Sequence, residues 1–247
     1  MYTKIEAVAL RTVRHNDRTS ILTAWSPVLG RLSLIVPAGN GVESRRQRAV
    51  TMPLGLFEGV VKADRNGTLS RIRDLRPWGR QGRQPDVSSH PVRSAVAMFV
   101  AEVLCSVTRE GDPDNALWAL IVETTEYISS ASARGLSNMP VMFLLRLASV
   151  LGIEPNLAEY VPGMGFDAID GVFRHTAPIH KNWVPSERTR AVVVLARAAV
   201  GYRHLALPGL SRQTRQAVLD ELTEYFTLHH FPLNRLRSLD ILRALFA

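Results

Sequence analysis

The sequence predicts an α+β, multi-domain chain: an N-terminal OB-fold β-barrel, then a mainly α-helical domain carrying a small β-hairpin insertion. Three observations lead there. Apolar residues alternate with a period of two through the first eighty residues, and from Pro91 the period becomes close to 3.6. Turn residues divide the first stretch into five short strands with one longer connection, the pattern of a small closed barrel. Charge follows the same division. The chain of 247 residues has a net charge of +8, and residues 1–80 hold 14 Lys+Arg against 6 Asp+Glu. The surplus therefore sits entirely on the strand-rich third, while the remaining 167 residues carry 16 of each sign.

The elements follow in order. Residues 3–13 read as a strand in which Ile5, Ala7 and Ala9 alternate with Lys4, Glu6 and Val8, and His15-Asn16-Asp17 is turn chemistry. Two more strands, Ser20–Trp25 and Arg31–Val36, flank a turn punctuated by Pro27 and Gly30. A Gly-rich basic stretch, 37–48, is too polar for core. Leu54–Lys62 and Leu69–Leu75 close the set around Asn66-Gly67, a strong hairpin signal. The expected domains are 1–80 for the barrel, 81–91 for a Gly/Pro/Gln/Ser-rich linker and 92–247 for the helical part.

Beyond the linker, Val92, Val96, Phe99, Val103 and Val107 make one helical stripe. Asp112-Pro113 reads as the cap and first turn of a second helix, with Leu117, Leu120, Ile121, Thr124 and Ile128 on its apolar face. Val141–Leu151 is a very apolar third helix, stopped by Gly152 and Pro155. Residues 157–184 interrupt the helices, and Phe166–Phe173 reads as a hairpin about Asp170-Gly171. Helices resume at 186–200, 211–229 and 236–246.

Composition narrows the function. Only Lys4, Lys62 and Lys181 of the 30 basic residues are lysine. Arginine forks phosphate oxygens and stacks on bases, so this bias fits nucleic acid, although a GC-rich genome produces it as well. The single cysteine, Cys105, excludes an internal disulfide and a multi-cysteine zinc site. The charged N-terminus is unlike a signal peptide, and the run Ala191–Gly201 is too short and too interrupted to span a bilayer. A cytoplasmic protein without cofactor or metal is expected. No nucleophile elbow, phosphate loop, dinucleotide fingerprint or zinc-protease motif occurs.

The sharpest candidate site is basic. Arg45, Arg46 and Arg48 in the Gly-rich segment, with Arg14, Arg31, Lys62, Arg71 and Arg73 on neighbouring strands, make a surface that would track a phosphate backbone. The bland reading is a solvated loop with no ligand. Tyr2, Trp25, Phe57 and Trp78 are candidate stacking platforms, Trp25 and Phe57 being better suited to core. Asp167, Asp170, His175 and His180 cluster within 14 residues, yet turn chemistry accounts for Asp170 and the histidines lack i,i+4 spacing. The third helix is either a buried core helix or one wall of a groove for an apolar peptide end, in which case Met139, Met142 and Phe143 would line it and Arg146 would hold a carboxylate.

Taken in order, several segments resemble the RecO family of bacterial DNA-repair mediators. They are Ala7–Arg14 with Asp17 and the Gly30-Arg31-Leu-Ser-Leu strand, Ala95–Leu104, Phe143-Leu-Leu-Arg-Leu with Leu151-Gly-Ile-Glu-Pro155, Phe166-Asp with Gly171-Val-Phe, and Arg237–Phe246. The resemblance runs nearly end to end. It implies an OB-fold head, binding of single- and double-stranded DNA, annealing of complementary strands and partnership with RecR. It further implies docking on the acidic, Phe-ended tail of the single-strand-binding protein SSB, RecA loading, and no catalytic turnover. Two departures stand out. Many relatives carry a four-cysteine zinc knuckle in the region of 157–184, where this chain has none and places Tyr160 among others. Some relatives grip the SSB tail with an arginine where this chain has Val141 and Met142, so Arg146 is the substitute the resemblance leaves. The rivals are a metal-dependent DNA-processing enzyme built on the Asp/His cluster, and an adaptor whose basic barrel binds acidic protein.

Overall fold

A computed structural model describes residues 2–38, 47, 50–62, 69–79, 85–198 and 211–246. They fall into two compact units, Met1–Ser130 and Ala131–Ala247.

In the first unit, β1 (Tyr2–Arg14), β2 (Thr19–Ser26), β3 (Gly30–Pro37), β4 (Leu56–Lys62) and β5 (Ser70–Pro77) close a barrel in the order β1-β2-β3-β5-β4. β1 is long enough to pair with β4 along its first half and with β2 along its second, which closes the sheet on itself. The β3–β5 contact is parallel and the others are antiparallel, the Greek-key arrangement of an OB fold. The expected alternation holds: Ile5, Ala7, Ala9, Leu22, Leu34 and Phe57 fill the interior. Each large side chain buried there contributes about 1.5–3 kcal/mol.

Val8 and Trp25 point outward by register and Leu10 sits at the irregularity between Ala9 and Arg11, yet all three are buried. Helix α1 (Pro91–Val107) packs on β1, and Trp118 of α2 (Asn115–Ser130) lies 6.5 Å from Trp25. The turn before β3 is fixed to the α1–α2 connection by Arg31 N–H donating to the Arg109 carbonyl at 2.9 Å and Gly111 N–H donating to the Leu29 carbonyl at 3.3 Å. Gly30, at φ +69°, has backbone of residues 109–112 within 3 Å of where a Cβ would stand, so a side chain there would break this docking. The first two helices thus share a compact unit with the barrel. The cap of α2 is Asp114, whose Oδ1 accepts from Ala116 and Leu117 N–H, and not the expected Asp112.

The second unit holds α3 (Ala133–Val150), β6 (Gly165–Asp167), β7 (Val172–Arg174), β8 (Trp183–Val184), α4 (Ser186–Ala198), α5 (Arg212–Leu228) and α6 (Ser238–Leu245). α3 begins eight residues before the Val141 start expected from sequence, because Ser132 caps it by accepting from Gly135 N–H and the helix continues through Pro140. It stops as expected: Gly152 takes φ +69°, Gly152 N–H donates to Ser149 O and Ile153 N–H to Ala148 O, a Schellman ending. The hairpin about Asp170-Gly171 forms, and β8 joins it in a three-stranded sheet of order β7-β6-β8. No helix among the described residues is long and apolar enough to cross a membrane.

Candidate nucleic-acid interface

Register places the barrel's charges. On the outer face of β4 and β5, Lys62 lies opposite Tyr2, Arg73 opposite Val60, and Arg71 beside Ile35 of β3. All three cations are exposed, and none has an acidic partner among the described residues. The Arg73 guanidinium sits 4.9 Å from the centroid of the Tyr2 ring, which is itself 54% exposed. From Arg71 a cross-strand row runs Ile35–Ile21–Val13, with Val13 46% exposed. The neighbouring row is Arg11–Thr23–Ser33. One end of the barrel therefore joins three cations and an exposed ring to an uncharged sheet face edged by Arg11. Phosphates suit the first, and the flat faces of bases suit the second.

Four other cations of the barrel are engaged. Arg14 donates to Asp17 Oδ1 at 2.8 Å, and Lys4 and Arg76 flank Glu58 at 3.4 and 2.7 Å. Arg31 turns toward α1, donating to the Cys105 carbonyl at 3.1 Å, so its guanidinium closes the helix end. Arg45, Arg46 and Arg48 lie outside the described residues. Trp25 and Phe57 are core, at 1% and 0% exposure, and Trp78 packs edge-on against Trp118 at 5.8 Å. Tyr2 is the exposed ring of the four. Arg11 and the Val13–Ile21–Ile35 row were missed by sequence reasoning; a register shift between Ala9 and Arg11 turns Arg11 and Val13 outward, and no local sequence signal marks it.

In the second unit, Met139, Met142 and Phe143 have no exposed surface and Arg146 is half-buried, so α3 offers no groove at these residues in this conformation. A narrow cleft lies on another face of the same turn, where Pro140 and Val141 of α3 face Arg212, Arg215 and Leu219 of α5, with Leu242 and Phe246 from the last helix. Arg212 and Arg215 stand in the first turn of α5, where N–H groups favour anions. Burial first, and then the Arg212 charge, hold the Arg215 guanidinium below its ordinary value; its Nη1 is 3.5 Å from Asn138 Oδ1. The signal was legible: two arginines one turn apart after a Ser cap, followed by an apolar helix face.

The Asp/His cluster is an ionic staple. The Asp167 carboxylate, 1% exposed, accepts from Ile169 and Asp170 N–H and pairs with Arg174 Nε at 3.3 Å and His180 Nε2 at 3.2 Å. Arg174 also reaches Asp170 at 2.6 Å. A guanidinium bridges the two carboxylates, and no group of three or more His, Cys, Asp or Glu among the described residues is placed to hold a metal. Alongside packing of Phe166, Phe173 and Tyr160, the staple ties the small sheet together without thiolates.

Comparison with known proteins agrees in one direction. Residues 88–240 match the family model for the recombination protein O C terminal. Proteins named DNA repair protein RecO from Phocaeicola vulgatus and Bacteroides fragilis are each 28% identical over 249 residues, covering 100% of both chains. The protein of that name from Porphyromonas gingivalis is 28% identical over 245 residues, covering 97% of each.

Proposed function

The chain belongs to the recombination protein O family, and from that premise we propose that it is a non-enzymatic recombination mediator of DNA repair. Its barrel binds single- and double-stranded DNA with little sequence preference and anneals complementary strands. With RecR it helps load RecA onto SSB-coated single strands. The observation that carries this reading is the exposed Lys62–Arg71–Arg73 group continuing into the uncharged Ile35–Ile21–Val13 face.

The mechanism is electrostatic. Two DNA strands repel through their phosphates, and a cationic surface contacting both lowers that repulsion and releases condensed counterions. Bases then meet without any bond being made or broken by the protein. The helical unit brings the barrel to its target by capturing the SSB tail. The Arg212/Arg215 cleft supports this role better than the α3 residues, because its two guanidiniums suit the carboxylates of an acidic tail.

The test is fluorescence anisotropy of a labelled single strand across a salt series, with and without a peptide copying the SSB tail. Tight, salt-sensitive DNA binding is expected, with the peptide bound in Arg212→Gln/Arg215→Gln-sensitive fashion and without displacing DNA. DNA affinity that ignores salt would overturn the electrostatic mechanism. Competition between peptide and DNA for the barrel would instead favour an adaptor that binds acidic protein.

A further inference from the structure

The outer face of β1, β4 and β5 carries its charges in cross-strand rows, and the sign of the rows changes along the strands. At the cationic end, Tyr2 pairs with Lys62, and the pairing of Val61 with Ile72 brings Lys62 level with Arg71. Two residues along, Val60 lies between Lys4 and Arg73. Two residues further, Glu58 lies between Glu6 and Arg76. Like charges directly opposite each other destabilise a sheet. Lys4 and Arg76 neutralise Glu58 at 3.4 and 2.7 Å. Glu6 is exposed and has no cationic partner among the described residues.

A further acid joins this row. Between the Val60–Arg73 and Glu58–Arg76 pairs, β4 has Gly59 alone while β5 has Asp74 and Leu75, a β-bulge. Asp74 takes φ +52°, a left-handed conformation that aspartate tolerates better than bulkier residues. The extra residue lets Ile72 and Leu75 both pack toward the barrel interior while Arg73 and Arg76 stay outside. Asp74 is exposed, again with no cationic partner among the described residues. Lys4, Glu6, Glu58, Asp74 and Arg76 together sum to −1, whereas Lys62, Arg71 and Arg73 sum to +3.

Two routes for a DNA strand leave Lys62, Arg71 and Arg73. One runs around the barrel's end over Ile35, Ile21 and Val13. The other runs down β4 and β5 to an open hollow lined by Arg76, Pro77 and Trp78, whose ring would otherwise suit a base. Only the second crosses the acids. We propose that Glu6 and Asp74 exclude phosphates from the second route and so hold a single strand to the first. The inference rests on the DNA reading: it names the path of the strand on that surface and the residues that set it.

The full chain is mixed with an oligothymidine carrying 5-iododeoxyuridine and irradiated, and the cross-linked residues are mapped by mass spectrometry. Tyr2 reports the first route and Trp78 the second. In the unaltered chain Tyr2 should cross-link while Trp78 stays near background. Glu6→Gln/Asp74→Asn removes both charges and leaves at position 74 a residue suited to positive φ. Trp78 cross-links should then appear, and the salt slope should steepen by about 0.7 for each phosphate newly neutralised. Asp112→Asn/Glu126→Gln removes the same charge from exposed positions on the helical side of the same unit and should leave the pattern unchanged. Three results would each overturn the proposal while leaving DNA binding in place: equal cross-linking of Tyr2 and Trp78 in the unaltered chain, a pattern unmoved by Glu6→Gln/Asp74→Asn, or an equal change in the control. Absence of any DNA binding would overturn the DNA reading, and the proposal with it. If Glu6→Gln/Asp74→Asn does not fold, the ratio of Tyr2 to Trp78 cross-links in the unaltered chain decides.

Discussion

Replacing Lys62, Arg71 and Arg73 together by glutamine tests the barrel's electrostatics most directly. The three side chains are exposed and project from β4 and β5 without acidic partners among the described residues, so their removal touches little else. The one interaction at stake is Arg73 over Tyr2 at 4.9 Å, worth about 0.5–1 kcal/mol at an exposed site. Folding should therefore survive, with a melting curve close to the unaltered chain's. Each phosphate that is no longer neutralised lowers the slope of log affinity against log salt by about 0.7 for a single strand, so three of them predict a slope shallower by roughly 2. Across a fourfold rise in salt, the affinity advantage of the unaltered chain should then shrink by roughly twentyfold. Anisotropy with a labelled oligothymidine at several salt concentrations measures both quantities. An intact melt with a slope changed by less than about 0.5 would show that these cations do not meet phosphate.

Three further outcomes are expected. Arg31→Met loses the donation to the Cys105 carbonyl, so unfolding in urea should show about 1 kcal/mol less stability, while the DNA salt slope should stay the same because this guanidinium faces a helix. Asp167→Asn keeps an Oδ1 acceptor for the Ile169 and Asp170 N–H groups but removes the buried charge that faces Arg174; a loss of about 2 kcal/mol in urea unfolding is expected, below the range for a fully buried pair because Arg174 is partly exposed. The Tyr225 phenol is pushed up to about 12 by burial. The unfolded chain then releases that proton first as pH rises from the ordinary tyrosine value, so fold stability should decline through this alkaline window, and Tyr225→Phe should flatten the decline in melts taken there.

The fold and the site were legible to different depths. Alternation along residues 3–13, 20–25 and 31–36 specified the barrel interior, because a strand's period of two assigns each apolar residue to one face. Stripes such as Val96–Phe99–Val103 did the same for helices. Start signals were weaker. Asp112 and Asp114 both suit a cap, and local chemistry does not choose between them. Pro140 is a barrier by local chemistry, yet a helix tolerates it where tertiary packing buries the surrounding turn. Met139, Met142 and Phe143 read first as core, with a groove as the alternative, until their neighbours are present.

By itself, then, the sequence determined the order of strands and helices, the confinement of excess charge to the first third and the turn at Asp170-Gly171. These depend on neighbours along the chain. Which arginines face solvent was decided only by the tertiary structure. The same residue type ends against a helix carbonyl at Arg31, against an acid at Arg14 and Arg76, and in solvent at Arg71 and Arg73. The physical reason is that a charge's availability depends on what strand register and helix packing bring within a few ångströms, and for Arg31 and Arg76 those groups are distant in sequence, whereas the Arg14–Asp17 pair is local.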